Sequence, residues 1–185
     1  MNPNNNRYSR VAIAFHWLLA LMICISFGVG FYMTSLAFSP QRLKLYNWHK
    51  WAGVTILVLS AARLLWRLTH AAPALPHTMP VWQRMASHAS HFALYVFFFA
   101  VPITGWLYSS AAGFPIVWFG IIPLPDLVEK NRELAETLKP FHWIAAYSLA
   151  TVVVIHIAAA LKHHFIDRDT ILKRMLPQSK NSSFN

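Results

Sequence analysis

Phe141–Phe165, FHWIAAYSLATVVVIHIAAALKHHF, decides how this chain folds. It carries His142 and His156 within 22 consecutive uncharged residues that separate Lys139 from Lys162. Such a segment is long enough to cross a bilayer as a helix. A fourteen-residue interval is nearly four helical turns, so the two imidazoles project from almost one face, roughly 21 Å apart along the axis. A single histidine on an apolar face is often a core residue bonded to a neighbouring helix. The pair is therefore weighed against the rest of the chain.

Composition places that rest in a membrane. Of 185 residues, 56% are hydrophobic and 12% charged, and the mean hydropathy is +0.40, values outside the soluble range. The net charge of +10 would suggest nucleic acid in a soluble chain. Here the basic residues flank apolar runs and form no continuous basic patch interleaved with aromatics, so they read as topology signals, with no nucleic acid as partner. The single cysteine, Cys24, excludes an intrachain disulfide and reads as a small packing residue.

Four apolar runs predict an all-α membrane protein, a four-transmembrane-helix bundle in one domain over 1–185, with spans at about 13–37, 46–68, 87–108 and 140–164. Between the second and third, Pro73, Pro76 and Pro80 make a stiff connector holding His70 and His77. Residues 85–125 carry no charge. Only the first half of that stretch reads as helix, because Pro102 and Gly105 should loosen the end of the span and Gly113, Pro115, Gly120, Pro123 and Pro125 rule out a further crossing. Asp126–Leu138 mixes Asp126, Glu129, Glu133 and Glu136 with Leu127, Val128, Leu134 and Leu138, which predicts an interfacial amphipathic helix in the loop between helices 3 and 4. The tail, 167–185, is polar and is expected to end in disorder.

Four spans put both termini on one side. That side holds ten of the 16 basic residues, and the other holds six, with four of the six acids. The positive-inside rule makes the termini cytoplasmic. His16 then begins span one from the cytoplasmic side, while His49 and His142 begin spans two and four from the opposite side and His156 lies deep in span four. The four fall into level pairs, His49 with His142 and His16 with His156. A six-coordinate haem iron needs two axial ligands on opposite ring faces, and imidazoles from two helices of a bundle supply them. Zinc would want three or four ligands converging on one point, which pairs roughly 21 Å apart do not offer. Arg63 follows His49 by fourteen residues and so faces the interior at the inner level, where a haem propionate would be its anion. Gly28, Gly30, Gly53 and Gly105 leave room for a flat ring or for helix packing. His88, His91, His163 and His164 lie near the inner level, where they suit a quinone head group or its protons; His91 also competes with His16 as an axial ligand.

The motifs FHW (Phe15–Trp17), WHKWAG (Trp48–Gly53), SHASHFALY (Ser87–Tyr95), FHW (Phe141–Trp143) and HIAAALKHHFID (His156–Asp167) resemble those of the bacterial cytochrome b561 family over almost the whole chain. The resemblance implies a bacterial inner-membrane, multi-pass protein with two non-covalent haem b groups, their iron ligated by His16, His49, His142 and His156. It also implies an oxidoreductase that passes electrons between a periplasmic donor, superoxide in some members, and membrane ubiquinone. A quinone site near Lys162, His163 and His164 follows from it. The basic residues Lys50, Lys130, Arg132 and Lys139 could attract an anionic donor. Two other readings are a membrane-anchor cytochrome b subunit docking a soluble dehydrogenase or hydrogenase, and a non-haem transporter.

Overall fold

The computed structural model describes residues 7–75 and 79–177; His77, Lys180 and the end of the polar tail lie outside them. Four long helices dominate: α1 (Arg10–Ser35), α2 (Pro40–Thr69), α3 (Val81–Ala111) and α4 (Arg132–Phe165). All four are long and apolar enough to cross a membrane. All four start ahead of their predicted spans, and in α1, α2 and α4 a polar cap sets the start. Ser9 Oγ accepts from the Ala12 amide and Asn131 Oδ1 from Leu134, and Ser39 Oγ accepts from Arg42 ahead of Pro40 at the first helical position.

The bundle is inside out relative to a soluble protein. Leu19 and Ile23 of α1, Ile56 of α2, Leu94 and Phe98 of α3 and Leu149 of α4 form one small buried cluster. Leu149 lies seven residues from both His142 and His156, so this apolar plug separates the two histidine levels. Large apolar side chains such as Leu21, Phe31, Leu65, Phe92 and Ile144 cover the exterior, as contact with lipid requires. Cys24 is exposed on this surface rather than packed inside. Helices α1 and α2, α2 and α3, and α3 and α4 pack side by side, whereas α4 has no extended contact with α1 or α2 among the described residues. The histidine pairs face each other across that separation.

Two sequence expectations are corrected. First, α3 continues through Pro102 to Ala111. Transmembrane helices tolerate proline when local side chains and neighbouring helices satisfy the disturbed carbonyls; Thr104 Oγ1 donates to Ala100 O (2.8 Å) and Val101 O (3.0 Å), beside the proline. Second, no separate amphipathic helix occupies 126–138. Residues 126–131 are a loop tied to the end of α3 by Leu127 N to Ser110 Oγ and Asn131 N to Ala111 O, and Glu133 and Glu136 belong to the first turns of α4, which runs on through Pro140. The described part of the tail forms a 3₁₀ turn, Leu172–Met175, and its end, where disorder was expected, lies outside the described residues. The turn folds back under the bundle, where buried Arg174 donates to Ala74 O (2.7 Å) and Trp17 Nε1 to Met175 O (2.8 Å).

At the opposite end, the apolar loop forms a minimal hairpin of β1 (Val117–Trp118) and β2 (Ile122–Pro123), paired antiparallel. Three residues, 119–121, connect the strands; Phe119 (φ 53°) and Gly120 (φ 73°) are both left-handed, and Ile121 N donates to Trp118 O (3.1 Å) to close the turn. Indole donors hold the loop down: Trp51 Nε1 to Val117 O (2.6 Å), Trp118 Nε1 to Thr55 Oγ1 (3.1 Å) and Trp106 Nε1 to Pro125 O (3.1 Å).

Candidate functional site

The histidine pairs meet as their levels require. At the hairpin end the rings of His49 (α2) and His142 (α4) have centroids 6.2 Å apart. Near the end carrying the termini, His16 (α1) and His156 (α4) are also 6.2 Å apart. Two imidazoles bound through nitrogen at about 2 Å on opposite sides of one metal ion have centroids roughly 6 Å apart. Both pairs therefore fit a single ion held between two rings.

The hairpin-end pair is braced in a repeated pattern that the sequence did not reveal. His49 Nδ1 donates to Ser26 O (3.1 Å) on α1, with Ser26 Oγ at 3.3 Å. His142 Nδ1 donates to Val101 O (3.1 Å) on α3, with Thr104 Oγ1 at 3.3 Å. One turn beyond each carbonyl, at Gly30 and Gly105, a Cβ would stand 3.0 Å from Cε1 of the braced ring. A carbonyl acceptor puts the proton on Nδ1 and leaves Nε2 as the metal-binding nitrogen, and a close backbone stops the ring from turning. Nothing approaches a Cβ at Gly28 or Gly53 within 4 Å, so these two leave open space on their helices.

The second pair is built differently. His16 Nδ1 lies 3.3 Å from Arg63 Nη2. A guanidinium only donates, so Nδ1 is the acceptor here; binding metal through Nε2 requires Nδ1 to take a proton and Arg63 to turn to another acceptor. Arg63 has no carboxylate partner among the described residues, and its guanidinium carbon lies 5.7 Å from the Tyr95 ring centroid. An anion between the helices would be its natural partner. His91 also approaches His156, with centroids 5.4 Å apart, while its Nδ1 donates to Ser87 O (2.8 Å). His88 is exposed. His70 stacks on Trp66 at 3.7 Å, away from both pairs.

Lys162 and His163 already have partners. Lys162 Nζ lies 2.7 Å from an Asp167 carboxylate oxygen, and His163 Nδ1 2.7 Å from Asp169. His164 Nδ1 is buried without a hydrogen-bond partner among the described residues. On the hairpin side Lys50 Nζ donates to Pro115 O (3.2 Å) and serves to tie down the loop.

The family described as "Prokaryotic cytochrome b561" matches residues 7–178. Cytochrome b561 homolog 2 of Escherichia coli K12 is 37% identical over 177 residues, covering 95% of this chain and 94% of that protein. A protein of Yersinia pestis named "Probable superoxide oxidase CybB" is 32% identical over 181 residues, covering 95% and 99%. Cytochrome b561 homolog 1 of E. coli K12 is 29% identical over the same length. Four membrane-crossing helices carrying two facing histidine pairs thus go with a match along nearly the full chain, and the protein belongs to the prokaryotic cytochrome b561 family of membrane b-type cytochromes.

Proposed function

We propose that this chain carries electrons across the bacterial inner membrane, from a periplasmic one-electron donor to ubiquinone, through two haem b groups. His49 and His142 hold the outer group and His16 and His156 the inner, with both termini cytoplasmic. The observation that carries the reading is the recurrence of a 6.2 Å facing pair at two depths of α4. When bound, haem supplies reversible one-electron chemistry. The protein's part would be to hold each group between two histidines, which would favour outer-sphere transfer over oxygen binding, and to exclude water with the apolar plug around Leu149.

Superoxide is the favoured donor, since a relative 32% identical along nearly its whole length is named a probable superoxide oxidase. The decisive measurement is haem reduction in the purified protein by a superoxide source, with and without ubiquinone. Reduction that superoxide dismutase abolishes and ubiquinone reverses is expected. An α-band that never forms would sink the haem reading. A reducible α-band unresponsive to superoxide, together with a stoichiometric soluble subunit on purification, would favour the anchor-subunit reading instead.

Arg63 offers a second check. Removing a positive charge beside the inner pair favours the oxidised state of the group bound there. With an effective dielectric constant of about 20 and a separation of about 7 Å, the charge is worth roughly 2 kcal/mol. Arg63→Gln is thus expected to lower the inner potential by on the order of 100 mV in a redox titration, leaving the outer one nearly in place.

A further inference from the structure

We propose that Asp169 is a positioning residue that fixes His163 as the proton donor to the quinone head group, an assignment that rests on the quinone reading above. His163 follows His156 by seven residues, almost two turns, and so lies on the ligand-bearing face of α4, about 10 Å nearer the end carrying the termini. Its Nδ1 is 2.7 Å from Asp169 Oδ2 and 3.1 Å from Asp167 Oδ2. Asp167 is shared, because the Lys162 ammonium sits 2.7 and 2.9 Å from its two oxygens. Asp169 faces His163 without such competition. Its Oδ1 accepts from the Ile171 amide (2.9 Å) and its own amide donates to His163 O (3.0 Å). The turn that brings it there passes through Arg168 at φ 53°, a left-handed conformation that non-glycine residues adopt at a cost and that surrounding structure must hold. The 3₁₀ turn packed on this end of α4 adds Lys173 and Arg174; Arg174 is spent on Ala74 O and Thr170 Oγ1. The same His163, Asp167 and Asp169 atoms are close enough to hold a metal ion, but the Lys162 ammonium already neutralises Asp167.

A carboxylate only accepts, so the Asp169 contact keeps a proton on Nδ1 and leaves Nε2 as the working nitrogen. Reduction of a quinone to its quinol consumes two electrons, delivered singly from the outer donor, and two protons. For each proton, the His163 imidazolium breaks its Nε2–H bond as an O–H bond forms on a quinone oxygen. The ring is left neutral, its remaining proton still on Nδ1 against Asp169, and cytoplasmic water recharges Nε2. His164, adjacent in sequence, has no carboxylate on its ring among the described residues. That contrast selects His163 from the two.

Asp169→Asn in the full-length, haem-loaded protein tests this. Asparagine can still accept from Ile171 while turning an amide N–H toward His163 Nδ1, which drives the ring proton to Nε2. Mixing pre-reduced protein with a short-tail ubiquinone should show kcat lowered by about 10- to 100-fold and KM changed less than about twofold, with part of the rate restored by Asp169→Glu. Haem content and outer-donor reduction should stay at wild-type levels. Independently of turnover, ¹⁵N resonances of His163 should move from the Nδ1–H to the Nε2–H tautomer. Unchanged turnover, a rise in KM alone, or an unchanged tautomer would overturn the assignment. A wild-type protein whose reduced haems ignore quinone would overturn the quinone reading itself, whatever the tautomer shows.

Discussion

His49→Ala should leave the purified protein with one haem instead of two, and His156→Ala should do the same while sparing the other site. Each substitution removes one of the two histidines that would hold a haem at a single level. The remaining level keeps both of its histidines roughly 21 Å away, beyond the buried plug that includes Leu149. Haem per protein, measured as the pyridine complex, should therefore fall by half in each variant, with the two reduced spectra adding up to that of the parent. Retention of both haems in either variant would show the pairing to be wrong. His156 has two ring neighbours, His16 at 6.2 Å and His91 at 5.4 Å. Loss of the inner haem in His16→Ala but not in His91→Ala assigns the axial position to His16; the reverse result assigns it to His91.

The second large effect is expected from residues that touch no cofactor. Gly30→Leu and Gly105→Leu should each empty the outer site and leave the inner one filled. Even a Cβ at these positions would stand 3.0 Å from Cε1 of His49 or His142, and a leucine adds three more carbons where a helix backbone leaves the ring no retreat. Overpacking of this kind costs about 1–3 kcal/mol, which weakens haem retention by roughly 5- to 150-fold. Gly28→Leu faces open space on an exposed helix face, so it is the matched control for helix propensity. Equal haem loss in all three variants would mean that helix packing, not the two histidine rings, is what Gly30 and Gly105 serve.

Much of the site was legible in the sequence because a membrane simplifies the problem. Uncharged runs fix the spans, each span fixes a direction, and the direction fixes the depth of every histidine on it. Depth matched His49 with His142 and His16 with His156, and ring spacing in the fold agrees. The loops were less legible for a related reason: composition reports how apolar a segment is, not what its backbone bonds to. The charged, leucine-rich run 126–138 has the pattern of an interfacial helix, yet its first six residues are tied to Ser110 and Ala111 and its last seven extend α4. Pro102 likewise reads as a breaker, whereas α3 passes through it with Thr104 bonded to the carbonyls before the proline.

The sequence by itself determined the number of helices, their order, and the levels at which histidines could meet, since these follow from hydrophobic length and helical repeat alone. Only the tertiary structure decided which backbone carbonyls orient His49 and His142, that Gly30 and Gly105 brace them, that Arg63 lies on His16, and that Asp169 turns back onto His163. Each of these contacts joins residues from different helices or across a left-handed turn. Their geometry depends on how helices pack and where the chain reverses, and neither leaves a periodic mark in the sequence.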